Sequence, residues 1–509
     1  MVNSCIGIMV ERIDAQEAWR ALVGGAWVPL LLFLAVAFHV LWRPREARST
    51  LAWLFAVWLF PELGALLYLL FGINRASEKS WQKHASDQTF YSNRALREQE
   101  QAPLAYWRGL RNGLLTQPAD GEARALHNFL NRLAPNHPLL GGNEVRILVD
   151  AREAYPEIFH AIRHAQQHIH LQSYIIGADP VGRELMEALA ERAAAGVEVR
   201  VLYDEFGSAK AIMHGFFRPY ANRPRLQVVR YTQANLYKHQ FQINLRNHRK
   251  IIVVDGVTGF TGGMNFYDVY RTRGNQPPIH DYHFRVTGPI VLELQYSFLR
   301  DWYYMTEESP ARLLTPEHFP PMTATGSTPI RLLNNGPTLS ESDALLDTLF
   351  TAIAGACRQV LLITPYFVPP PEIQRALRCA ALRGVEVKLL LPARNNHPYV
   401  GYAARALYDG LLEAGVRIFE QPPPFLHAKA MLVDDTMAII GSANLDQRSL
   451  RLNYENSLVI LDAAFGAALK QVMLNDFALG HEIQLAQWRT RSLPQRLTEN
   501  FCSLLSPIA

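Results

Sequence analysis

The sequence has little cysteine, and its four residues, Cys5, Cys357, Cys379 and Cys502, form no C-x-x-C pair. That scatter excludes both a disulfide framework and a thiolate zinc site. Net charge is also scarce: +4 over 509 residues, with only 19% charged positions. A surface so weakly basic tolerates phosphate-bearing partners but does not announce a nucleic-acid binder, and no nucleic-acid partner is expected. What the chain does have is 49% hydrophobic residues, in a length sufficient for two or three domains with full cores.

Much of that apolar content is local. Residues 21–42 contain no Asp, Glu, Lys or Arg and include "VPLLLFLAVAF". Their number is about what a helix needs to cross a hydrocarbon core of roughly 30 Å. Residues 51–72, "LAWLFAVWLFPELGALLYLLFG", are interrupted only by Pro61 and Glu62. Trp27, Trp42, Trp53, Trp58 and Tyr68 fit interfacial anchors. Residues 1–72 therefore read as a two-helix membrane hairpin rather than a cleaved signal peptide. Arg43, Arg45 and Arg48 lie between the spans, Arg12 and Arg20 before them, and Arg75, Lys79 and Lys83 after them. Positive charge on both sides leaves the orientation open. Glu62 at membrane depth is either functional or the neighbour of a helix break at Pro61.

Residues 73–124 are polar, show no sustained period and read as a connector. From there helical and strand patterns alternate: "EAYPEIFHAIRHAQQ", "HIHLQSYII", "GRELMEALAERAAAG", "VEVRVLYD". Such alternation predicts α/β layers around a sheet. After a Pro/Thr-rich linker at 313–329 the pattern restarts, and "AAAGVEVRVLYD" is echoed by "ALRGVEVKLLLP". The expected organisation is one duplicated α/β unit, 125–312 and 330–482, followed by a tail, 483–509, that carries no pattern of its own.

The chemistry-bearing residues repeat with the units. His248, Lys250 and Asp255 form H-x-K-x4-D, followed by "GGMN" ending at Asn265. His427, Lys429 and Asp434 repeat the spacing, followed by "GSAN" ending at Asn444, every position 179 further on (427 − 248). On a strand, residues i and i+2 share a face, so each His-Lys pair projects together. Two units packed face to face bring both pairs into one pocket suited to a phosphodiester. One imidazole attacks phosphorus and the other protonates the departing oxygen, giving a phosphohistidine intermediate. Two lysines and two Asn amides stabilise the phosphoryl charge, so no metal or cofactor is required.

These two motifs, with "FPELGALLYLLFG", "TPYFVPP" and "NLDQRSLRLNYE", resemble the phospholipase D superfamily and, within it, bacterial cardiolipin synthases with two N-terminal spans. The resemblance implies two phospholipase D-like αβα units in one pseudo-two-fold catalytic module behind a membrane hairpin. It implies an inner-membrane, multi-pass enzyme that transfers a phosphatidyl group between two phosphatidylglycerol molecules, giving cardiolipin and glycerol without a cofactor or metal. His248 is then the nucleophile and His427 the general acid, Lys250, Lys429, Asn265 and Asn444 bind phosphate, and Asp281 and Glu455 orient the histidines. Asp255 and Asp434 belong to the catalytic motif and are expected to brace the fold. Two departures bear on the head group: Ile279-His280-Asp281 stands where the family has Trp-Arg-Asp, and Asn396-His397 where it has Asp-His.

Other residues carry less. His168 with His170, and His280 with His283, lack a carboxylate or thiolate ligand set. Arg246 and Arg249 either meet phosphate or are solvated, and Ser449 beside Arg448 either hydrogen-bonds the second motif or, the reading preferred, is structural. Three other functions share the motif: a hydrolase with water as acceptor, a membrane-tethered nuclease, and a scaffold without activity. Self-association is not readable.

Overall fold

The computed structural model describes residues 15–42, 47–72, 76–100, 121–134, 136–221, 223–231, 245–271, 277–321, 324–337 and 343–504. It divides into two compact bodies, Met1–Arg75 and Ala76–Ala509.

The first body consists of helices Ala15–Trp42, Ala47–Leu59 and Pro61–Leu67 and a π-helical turn, Tyr68–Gly72. The single span expected over 51–72 is thus broken. Phe60 leaves helical geometry (φ −133°, ψ 76°), and Pro61, which has no N–H to donate, starts a new helix. Val36, Val40, Val57, Ala65 and Tyr68 form its core, and Tyr68 shares a 2.6 Å hydrogen bond with His39 Nδ1. Trp27, Phe38, Leu41, Trp42, Phe55 and Trp58 are exposed, as is Glu62. Among the described residues no helix is both long and apolar enough to cross a membrane. Arg12, Arg43, Arg45 and Arg75 lie outside the described residues.

The second body is built on one 15-stranded sheet. Its first half supplies β1 (Leu140–Val149), β2 (His168–Ser173), β3 (Glu198–Asp204), β4 (Leu226–Tyr231), β5 (Ile251–Val254), β6 (Thr258–Gly262) and β7 (Tyr282–Thr287). The second supplies β8 (Thr328–Asn335), β9 (Gln359–Ile363), β11 (Glu386–Pro392), β12 (Arg417–Gln421), β13 (Ala430–Val433), β14 (Met437–Gly441) and β16 (Glu455–Leu461), with β17 (His481–Glu482) at the edge. A separate parallel pair joins β10 (Phe367–Val368) to β15 (Leu445–Asp446). The order outward from the centre is β1-β7-β6-β5-β2-β3-β4 on one side and β8-β16-β14-β13-β9-β11-β12 on the other. The two halves repeat one topology and join where β1 pairs antiparallel with β8.

The short strands after each His-Lys pair are apolar at every position because both their faces are covered. Ile251 and Val253 face the same core as Ala430 and Leu432, a single cluster shared by both halves. Ile252 and Val254 face the first half's own outer core, and Met431 and Val433 that of the second. Helix Ile290–Thr306, buried from Ile290 to Trp302, lies within the shared layer.

Three segments differ from expectation. The connector at 73–124 contains a 25-residue helix, Ala76–Glu100, whose inward positions are Lys83, Asp87, Phe90 and Arg94. The spacing is helical but three of the four residues are charged, so no apolar period marks it. Lys83 pairs with Asp87 and, at 3.1 Å, with Asp301, and Arg94 pairs with Glu293 at 2.9 Å. The 313–329 linker is packed rather than loose, with Leu313, Leu314 and Phe319 in the shared core. In the tail, Trp488 joins the second half's outer core, and helix Leu493–Leu504 follows it.

Candidate active site

Each motif histidine lies at the mouth of a core strand, drawn across the junction by the backbone of the opposite half. His248 N–H donates to Tyr454 O (2.9 Å), and His427 N–H donates to His280 O (2.7 Å). Those partners immediately precede Glu455 and Asp281. The carboxylate of each half consequently reaches the histidine of the other: Glu455 Oε2 lies 3.0 Å from His248 Nδ1, and Asp281 Oδ2 lies 2.6 Å from His427 Nδ1. With Nδ1 held by an anion, Nε2 is the nitrogen left to face the substrate, that of His427 lying 3.2 Å from Lys429 Nζ. Spacing along the chain gives no sign of this crossing, since each acid lies downstream of the motif of its own half.

The carboxylates are themselves supported. Glu455 accepts from Ser442 Oγ and Ser449 Oγ (both 2.6 Å) and from Asn453 Nδ2 (3.3 Å). Asp281 accepts from the Tyr282 N–H (2.8 Å) and from Tyr270 Oη (3.3 Å), and that same hydroxyl lies 3.1 Å from His427 Nδ1. Gly263, the counterpart of Ser442 in the first G-x-x-N, must be glycine, since a Cβ there would sit 2.1 Å from Asp281 Oδ1. Tyr270, Ser442 and Asn453 were not anticipated. The second position of the G-x-x-N box was the available clue for Ser442, and Ser449 contributes through its hydroxyl.

The lysines complete the centre. Lys250 Nζ donates to His248 O at 2.8 Å, while Lys429 Nζ lies 3.0 Å from His427 Nδ1 and also contacts His427 O. Both are fully buried. Burial lowers Lys250 to about 7 against the opposing pull of Glu455, and lowers Lys429 to about 8 against Asp281 and Glu455. Burial likewise lowers His248, and burial with the Lys429 charge lowers His427 to about 4, so both imidazoles rest neutral. Burial alone would raise the two acids. The Lys429 charge and the His427 hydrogen bond outweigh it at Asp281, and the hydrogen bonds from His248 and Ser442 with the Lys250 charge outweigh it at Glu455, so both stay ionised.

His248, His427, Asn265 and Asn444 line one cavity of about 530 Å3. Asn265 Oδ1 accepts from Ile175 N–H (3.1 Å), and Asn444 Oδ1 is buried without a partner among the described residues. Asp255 and Asp434 are not in the cavity. Each sits at the far end of its strand, roughly 20 Å from its histidine at about 3.3 Å per residue. Asp255 accepts from the N–H groups of Gln166, Gln167 and His168 (2.7–3.0 Å), and Asp434 from those of Cys357, Arg358 and Gln359 (2.7–2.9 Å). Their grouping with the catalytic residues is corrected: they bind strands together, as the bracing reading expected.

Arg249 points away from the cavity, into Asp301 (2.8 Å to both oxygens), as its odd place between His248 and Lys250 requires on a strand. Arg246, two before His248, faces the cavity. His280 lies between Asp150 (2.7 Å) and Asp476 (2.8 Å), whose hydrogen bonds outweigh burial and raise it to about 10. At this departure from the family pattern the imidazole is thus held as a cation between two carboxylates. His168 and His170 are packed with His318, their ring centres 4.7–5.0 Å apart, and His283 is buried.

Two histidines, each backed by a carboxylate and a lysine and related by an internal duplication, define a phospholipase D-like protein. The comparisons with known proteins agree. The family described as "Cardiolipin synthase, PLD-like domain" matches residues 158–275 and 349–477, and "Phospholipase_D-nuclease N-terminal" matches 30–72. The chain is 36% identical over 477 residues to the cardiolipin synthase of Geobacillus thermodenitrificans, covering 93% of this chain and 91% of that one. It is 37% identical over 476 residues to cardiolipin synthase A of Pseudomonas fluorescens, covering 93% and 95%. Among solved structures, the phosphatidylserine synthase of Haemophilus influenzae aligns with a TM-score of 0.55 at 15% identity, over 75% of this chain and 97% of that one, a likeness of fold. The chain belongs to the cardiolipin synthase family.

Proposed function

We propose that the protein is a membrane-bound phosphatidyltransferase that condenses two phosphatidylglycerol molecules into cardiolipin and glycerol. The observation that carries this is the crossed arrangement of two carboxylate-backed histidines lining one cavity, with a buried lysine against each of them. His248 Nε2 attacks the donor phosphorus while His427 delivers a proton to the departing glycerol oxygen. The hydroxyl of the second phosphatidylglycerol then attacks the phosphatidyl-histidine, returning its proton to His427. A bound phosphodiester anion supplies the countercharge that keeps Lys250 and Lys429 protonated and lets one imidazole take up the proton it must give. Lys250, Lys429, Asn265 and Asn444 stabilise the non-bridging oxygens, Asp281 and Glu455 orient the rings, and no metal or cofactor is assigned a step. Bonds of the same kind are made and broken, so the transfer is reversible.

Residues 1–72 serve in this reading as the membrane hairpin of a multi-pass inner-membrane protein, with 125–312 and 330–482 as the two phospholipase D-like units. The exposed Trp and Phe side chains of the first body support it. The test is a product assay on phosphatidylglycerol vesicles with the wild type and with His248→Ala and His427→Ala. Cardiolipin and glycerol from the wild type and neither from the folded variants is the expected result; phosphatidic acid as the sole product would establish a hydrolase instead.

A further inference from the structure

The duplication that repeats the histidines, lysines and asparagines does not repeat the whole cavity. At the same offset of 179, Arg246 has Phe425 as its counterpart (425 − 246), and Arg448 has Val269 (448 − 269). Both arginines line the cavity that holds His248 and His427. They come from different halves and lie near one another: burial, then the Arg246 charge, weakens the hold of Arg448 on its proton. Arg246 is stacked over the Phe206 ring, its guanidinium carbon 3.7 Å from the ring centre. Arg246 and His248 share a face of an extended segment, roughly 6.6 Å apart at about 3.3 Å per residue.

The carboxylates nearby, Asp204 by Arg246 and Asp446 by Arg448, also serve backbone N–H groups. Asp204 accepts from the N–H groups of Phe206, Gly207 and Asn247 (2.8–3.0 Å). Asp446 accepts from Ser449 N–H (2.7 Å), and burial raises it to about 7. Two guanidinium groups thus lie on one side of an otherwise two-fold cavity, near enough to repel each other, and a bound anion relieves that repulsion.

The transfer reaction brings such an anion. The reacting phosphate is served by the two lysines and two asparagines, but the acceptor lipid carries a second phosphodiester, joined to its attacking hydroxyl by a glycerol bridge. We propose that Arg246 and Arg448 form the subsite for this second phosphodiester and thereby select a phosphate-bearing alcohol over water or plain glycerol as acceptor. The inference rests on the phosphatidyl-transfer reading above. In the step concerned, the acceptor oxygen forms its bond to phosphorus as the phosphorus–His248 bond breaks, the electron pair returns to Nε2, and the hydroxyl proton passes to His427. The arginines bind and orient; they exchange no proton. Bidentate guanidinium–phosphate hydrogen bonding suits that task better than a lysine would.

The test compares three acceptors on the full-length enzyme in detergent–phosphatidylglycerol micelles: a second phosphatidylglycerol (cardiolipin formed), labelled glycerol, and labelled glycerol 3-phosphate (each exchanged into lipid). The wild type should prefer both phosphate-bearing acceptors to glycerol. In Arg246→Gln and Arg448→Gln the ratio of cardiolipin formation to glycerol exchange should fall at least tenfold, and the glycerol 3-phosphate advantage should fall with it. Arg→Lys variants should be intermediate, and they decide the matter if the Gln variants yield no protein. An unchanged ratio in the variants overturns the subsite. So does a wild type that shows no preference for glycerol 3-phosphate over glycerol, since recognition would then lie in the acyl chains. A wild type that transfers to none of the three, giving only phosphatidic acid, defeats the phosphatidyl-transfer reading itself.

Discussion

His427 and Asp281 are 146 positions apart in the chain and 2.6 Å apart in space. That contact, with its twin between His248 and Glu455, sets the protonation state from which the chemistry starts. Because burial holds His427 near 4 and the lysines near 7 and 8, the free enzyme has both imidazoles neutral and both ammonium groups charged only in a limited window. The kcat/KM profile should fall on the acid side as the nucleophile His248, whose hold on a proton burial weakens, becomes protonated, and should fall on the alkaline side as pH passes upward through about 7–8, where the lysines lose their protons; in kcat the alkaline limb should shift upward, because bound phosphate favours the ammonium form. A profile flat to pH 9.5 in kcat/KM would count against lysine participation. His280 gives a second expectation. Its folded pKa is raised, so its contribution to stability is complete below about 6.5 and is lost as pH climbs through about 10. His280→Gln should cost about 3–5 kcal/mol in denaturant unfolding at pH 7, because two carboxylates lose the cation between them, whereas His280→Arg should recover most of it and remove the alkaline loss.

Among the elements, helix Ala76–Glu100 shows how a segment can be ordered without an apolar stripe. Its inward positions recur at helical spacing, but Lys83, Asp87 and Arg94 are ionic partners of Asp301, Arg300 and Glu293. Asp301 also holds Arg249, Asn247 and Gln172, so the helix is tied to the strand carrying the first motif. Removing one partner strands a buried charge, and Lys83→Ala should destabilise the protein by about 3–5 kcal/mol. Since Arg249 and His248 are adjacent, kcat should fall as well, which chemical denaturation and product assays measured in parallel would reveal. A loss under 1 kcal/mol would show that the helix docks by other means. Period-two reasoning, by contrast, succeeds beside the core strands: the parity that sends His248 to the cavity and Lys250 against it sends Arg249 to Asp301.

At the scale of the molecule, each half supplies the carboxylate that holds the other's histidine, so the proposed mechanism makes the two halves interdependent. Glu455→Gln, a change in the second half, should therefore impair attack by His248 and slow formation of the phosphatidyl-enzyme about 10²-fold. Asp281→Asn, in the first half, should instead impair the proton transfers of His427. Rapid-quench trapping of the phosphatidyl-enzyme separates the two; the opposite assignment would exchange the roles of the two histidines, and no change in either variant would mean that the crossed pairs are packing contacts only.

What could be read along the chain was whatever repeats or alternates. The duplicated H-x-K-x4-D and G-x-x-N spacing singled out His248, Lys250, Asn265, His427, Lys429 and Asn444, and the alternation of helices and strands predicted the α/β class, because both depend on local periodicity. Asp281 and Glu455 were picked out only by resemblance to the family, and their exchange between halves was invisible, since hydrogen bonds spanning 146 and 207 positions leave no trace in spacing. The helix at 76–100 escaped because ion pairs, unlike apolar burial, impose no hydrophobic period. The uneven placement of Arg246 and Arg448 around one cavity was likewise decided by tertiary structure alone, for only packing the two halves together turns two unrelated arginines into neighbours.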